Sequence, residues 1–183
     1  MRFVAATLVL LLVSCSSATP VAVEPTHLLP AYRGAAVTLF DDGIDPQPAS
    51  AGFEPGASPI DSALLRDRTQ LGDCVARVRV VTVTSTEGEG GSSWQIALHA
   101  LENLAGDRRA GTDWTLHVNG DAAAAGVLRS LSGRLVDRPF IVFLREFAPA
   151  QGGSGGELHF HLAGEDRDQL GAVRVAALLA QVK

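Results

Sequence analysis

On a β-strand, residues two apart project from the same face, so Glu157-x-His159-x-His161 would set one carboxylate and two imidazoles in a single row. These are ligand types that zinc or copper prefers, and His-x-His on a strand can hold such an ion. A tight site needs a further ligand or an ordered outer shell. The sequence places neither His99 nor His117 beside the row, and both occupy polar positions of their own strands. The row is therefore expected to face solvent and to carry no stoichiometric metal, and replacing both histidines is expected to leave stability nearly unchanged. Zinc or copper held by Glu157, His159 and His161 is the alternative.

Other residues offer less. Asp41-Asp42-Gly43-Ile44-Asp45-Pro46 invites a calcium reading, but the stretch lacks the alternation and the twelfth-position glutamate of a calcium loop, so a solvated turn is expected. Cys74 could pair with a histidine as a nucleophile. It shares a strand face with Ala76, Val78 and Val80, however, and is expected to be a buried, inert small hydrophobe. Arg77 and Arg79 read as a solvated strand face. No phosphate-loop, nucleophile-elbow or zinc-helix pattern occurs, since the glycines around Gly88 and Gly91 have no Gly-Lys-Ser/Thr after them. The chain thus gives no grounds for naming a catalytic residue, and a non-enzymatic protein is favoured.

Location is read from Met1 to Cys15. Arg2 precedes an apolar run, Phe3 to Val13, that is too short to span a bilayer, which takes about twenty residues, and has the length of a signal-peptide core. Leu12-Val13-Ser14-Cys15 resembles the lipobox of bacterial lipoproteins. That resemblance implies a signal peptide over residues 1–14, lipid on Cys15 and cleavage ahead of it. It also implies a cell-envelope protein held in the membrane by its acyl chains. Ser16, where an aspartate would signal inner-membrane retention, favours the outer membrane. With Cys15 lipidated, Cys74 is the only other cysteine, so no intramolecular disulfide is available. The formal charge of −5, with no clustered basic residues, excludes a nucleic-acid partner and charge-driven adhesion to anionic lipid.

The elements that would position these residues fall into three parts. Residues 15–33, small and proline-punctuated, form a flexible tether. Residues 34–72 form a loop-rich segment packing on the barrel, with a short strand at Ala35 to Phe40 and a two-turn helix at Ile60 to Arg68. Residues 73–183 carry the core. Alternation and β-branching predict strands at Cys74–Thr84, Trp94–Leu101, Trp114–Val118, Phe140–Leu144 and Glu157–Leu162. A helix capped by Asp121 and running to about Leu131 follows the third strand. A last helix is capped by Asp166, with Gln169 in capping-box register. This order resembles the OB-fold, which implies a mainly β, small five-stranded Greek-key barrel with an inserted helix and a C-terminal helix. The function expected is a lipid-anchored envelope protein acting as a binding or assembly module for a protein or glycan. The alternative is a metal-binding protein or metalloenzyme using Glu157, His159 and His161.

Overall fold

The computed structural model describes residues 28–49, 62–88, 91–106, 113–150 and 155–181. Residues 1–14, read as a signal peptide, Cys15 and most of the stretch 15–33, read as a tether, lie outside the described residues. In chain order the elements are α1 (Ala35–Leu39), β1 (Gly43–Ile44), a 3-10 turn (Gln47–Ala49), α2 (Ser62–Leu71), β2 (Cys74–Gly88), β3 (Gly91–Gly106) and β4 (Asp113–Val118). They continue with α3 (Ala125–Leu135), β5 (Pro139–Phe147), β6 (Glu157–Gly164) and α4 (Arg167–Gln181).

The strands form one six-stranded mixed sheet in the order β1-β6-β5-β2-β3-β4, curled into a half-barrel. All neighbours are antiparallel except β1, which runs parallel to β6. One face packs on α3: Val78, Val80, Ile96, Leu98, Leu116, Phe140, Val142, Phe160 and Leu162 meet Leu128 and Leu135 in the larger core. The opposite face, over β5 and β6, is covered by α1, α2 and α4, and Ile141, Phe143, Phe147 and Ala163 meet Leu39, Leu65 and Val173 there. Phe140 to Leu144 is therefore buried on both faces, as an unbroken apolar run requires. Pro139 stands at the start of its strand, where a missing N–H is tolerated. Cys74 is fully buried in the larger core.

Several sequence expectations change. Ala35 to Phe40 is not a strand; its first five residues form α1, entered from Gly34 at φ 62. So short an apolar run fits either period, and packing Leu39 and Phe40 into the second core decides it. The sheet has six strands rather than five, because Gly43–Ile44, expected as turn, lines up against His161 and Leu162. Among the described residues β4 pairs only with β3, so the sheet does not close into a ring. The inserted helix begins at Ala125 with Ala124 at its cap and no side-chain cap, four residues beyond Asp121. Asp166 does cap α4, accepting the Gln169 N–H at 2.7 Å. Gly106, at φ 86, ends β3 where any Cβ would collide with the Asp73 carbonyl, so the residue type is dictated by the backbone.

Candidate functional site

The most concentrated polar chemistry lies where the N-terminal strap, residues 28–49, crosses β6. Antiparallel pairing sets Phe143 opposite His161 and Arg145 opposite His159, so both histidines project onto the face of the second core. His159 and His161 are 8% and 6% exposed. The solvent-facing row expected from alternation is thus corrected. The alternation places the two rings on one face, as read, but the strap, β5 and α2 cover that face.

The strap supplies a carboxylate to each ring. Asp42 Oδ2 lies 2.8 Å from His159 Nδ1, and Asp41 Oδ1 lies 2.8 Å from His161 Nδ1. Asp45 Oδ1 stands 3.5 Å from His161 Nε2. The same aspartates serve the backbone. Asp42 Oδ1 accepts the Phe160 N–H at 3.1 Å, and Asp45 Oδ2 accepts the Gly164 N–H at 3.2 Å. The main-chain N–H groups of Asp42 and Asp45 donate to Phe160 O and Leu162 O, each at 2.9 Å. Asp42 reaches this position at φ 51, in the left-handed region that aspartate enters more readily than most residues. Tyr32 stacks on His159 with ring centroids 3.6 Å apart, and its hydroxyl donates to Phe40 O at 2.6 Å. Buried Arg68 of α2 donates through Nε to Leu39 O at 2.8 Å. Three carboxylates and two imidazoles thus hold the strap to the half-barrel, and a guanidinium holds it to α2.

Electrostatics follow from this crowding. Burial alone would lower the His161 pKa, but hydrogen bonds to Asp41 and Asp45 outweigh it and hold the ring above its usual 6.5. Burial works against ionising Asp41 and Asp45 too, yet the bond to His161, its charge and that of Arg68 keep both below the usual 3.8. Asp42 goes the other way: burial raises it, and His159 does not fully compensate. Tyr32 is pushed up to about 12 by burial and then by the charges of Asp42, Asp41 and Glu157.

A raised histidine binds its proton more tightly folded than unfolded. Its contribution is therefore complete below pH 6.5 and is lost as pH rises through the higher folded value. The lowered aspartates contribute above pH 3.8 and lose that contribution as pH falls through their folded values. The melting temperature should accordingly be higher in mildly acidic buffer, between those limits, than in mildly alkaline buffer. The gap should shrink in His161→Gln; an equal gap in the variant would place the pH dependence elsewhere.

Of the residues singled out from sequence, His159 and His161 come together and Glu157 does not join them. Glu157 is exposed at the rim of a cleft of about 430 Å³ lined also by Ala31, Tyr32, Ala148 and His159. His99 and His117 lie on β3 and β4, three and four strands away from β6 in the sheet order. No cluster of three or more histidine, cysteine, aspartate or glutamate side chains among the described residues is arranged to hold a metal ion. Asp41, Asp42 and Asp45 read in the sequence as a solvated turn and become the partners of the two rings in the fold, while Tyr32 and Arg68 carry no signal in the sequence. The available signal was an apolar strand carrying two histidines inside its alternation, together with an aspartate-dense turn able to neutralise them. No protein-family model matches the chain, and no curated protein matches it.

Proposed function

We propose that the chain is a lipid-anchored envelope protein, carrying its lipid on Cys15, whose half-barrel acts as a non-enzymatic binding or assembly module. The observation that carries this reading is the aspartate–histidine latch. It fixes the strap, into which the end of the tether runs at residues 28–33, so a pull on the anchor is borne by β6 and not by a loose end. The pairing of β2 with β3 and β5, of β3 with β4 and of β5 with β6 supports an OB-like relationship for β2–β6, with β1 added at the edge. Cys15→Ser should move the protein from the membrane fraction to the soluble fraction, since the tether offers no other affinity for lipid. A variant that still sediments with membranes would remove the anchor from the account.

One observation favours the metal reading as second choice. Metal-binding histidines usually donate their other ring N–H to a carboxylate. His159 and His161 each have Nδ1 on an aspartate; the buried Nε2 of His159 makes no hydrogen bond, and that of His161 has Asp45 Oδ1 at 3.5 Å. A bound zinc or copper ion would reverse the pH trend above, because deprotonated imidazole binds the metal. Elemental analysis near one metal per chain, lost in the double glutamine variant, would establish that reading.

A further inference from the structure

β2 is flanked by strands on both sides only over its first half. β5 pairs with it from Cys74 to Arg79, and the Val80 N–H and C=O then meet Arg138 O and Asp137 N. From Thr82 to Gly88 its sole strand neighbour among the described residues is β3, which β4 backs from Ala97 to Trp94, so this stretch of β2 is the outer strand of a projecting arm. The other edge of that arm offers a row of main-chain donors and acceptors to any extended chain.

Protected edges usually carry proline, lysine or an inward-pointing charge. Thr82-Val83-Thr84-Ser85-Thr86-Glu87-Gly88 has no proline and no lysine, and it is dominated by residues that favour strands. Its guards are one charge, Glu87, near its end and the irregularity at Val81, which comes before the open stretch. Thr82, Thr84, Ser85 and Thr86 are exposed.

We propose that the occupant of this edge is a second copy of this chain, paired antiparallel across a twofold axis near Ser85. Antiparallel self-pairing there sets Thr84 opposite Thr86 and Ser85 opposite itself, hydroxyl pairs that suit neighbouring strands. It also places the two Glu87 carboxylates, the only charges in the stretch, at opposite ends of the seam. A parallel arrangement would put them side by side. The contact is isologous, as a twofold dimer requires. It is narrow, so the association is a weak, reversible one. This deepens the assembly half of the function proposed above and is independent of the lipid anchor.

The test uses the soluble full-length Cys15→Ser chain in sedimentation equilibrium, so that membrane release and self-association are read separately. A concentration-dependent monomer–dimer equilibrium is expected. In T84K/T86K every Thr84–Thr86 contact becomes a lysine pair, and dimerisation should weaken roughly tenfold or more. In T84K/T86E the same positions face each other as lysine and glutamate, and the dimer should return to at least its original strength. Matched melting temperatures of the two variants show that the arm itself is intact. A chain that stays monomeric into the millimolar range overturns the proposal. So does a dimer unaffected by T84K/T86K, or one lost equally in both variants.

Discussion

Truncating Phe140 to alanine should destabilise the protein by about 3–5 kcal/mol, enough to unfold a domain of ordinary marginal stability. Phe140 has no exposed surface and sits in the larger core with Val78, Leu128 and Phe160. Its backbone is held in the middle of the sheet between Val78 and Gly164. Neither neighbour strand can move inward to fill the gap, so the loss of burial is compounded by a cavity. Leu158→Ala provides the contrast, because Leu158 is 38% exposed and its removal should cost little. Chemical denaturation of the two variants checks this, and comparable midpoints would mean that β5 does not bear the core.

Replacing both His159 and His161 with glutamine should cost about 2–4 kcal/mol, since each change disturbs a partly buried hydrogen bond to a carboxylate. The figure is held below the sum for two fully buried ion pairs because the carboxylates keep contact with water, at 24% side-chain exposure for Asp42 and 35% for Asp41. Glutamine can donate one bond to the same aspartate but cannot stack on Tyr32 as the imidazole does. His99→Gln is the control. That ring also sits 2.8 Å from a carboxylate, Asp113, but the pair is 52% and 80% exposed and its loss should leave the denaturation midpoint in place. Equal effects at the two sites would show that the β6 histidines are no more than surface residues.

Much of the barrel could be read from the chain because its strands carry their burial in their pattern. Val78, Val80, Ile96, Leu98, Leu116 and Val118 all point inward as alternation requires, and Phe140–Leu144 declares a central strand by being apolar throughout. The strap could not be read this way. Ala35-Ala36-Val37-Thr38-Leu39 is too short for periodicity to separate helix from strand, and its helix depends on contacts with residues far along the chain, such as Arg68. β1 is two residues long and exists only because β6 has an edge to offer. The histidine row illustrates the same limit. Alternation correctly puts His159 and His161 on one face, but whether a face is wet depends on what else packs there. The strap's share of the cover comes from residues more than a hundred positions earlier. Asp42 and Asp41 pair with them across 117 and 120 positions.

The central claim is that these aspartate–histidine pairs fasten the N-terminal strap to β6, and hydrogen exchange measured amide by amide tests it most directly. The amides of Asp42 and Asp45, bonded to Phe160 O and Leu162 O, should be strongly protected in the native chain. In H159Q/H161Q their protection should fall to that of a frayed edge, while the Val142 amide, inside the β5 strand, stays protected. Unchanged protection of Asp42 and Asp45 in that variant would contradict the account, because the strap would then be held by something other than the pairs.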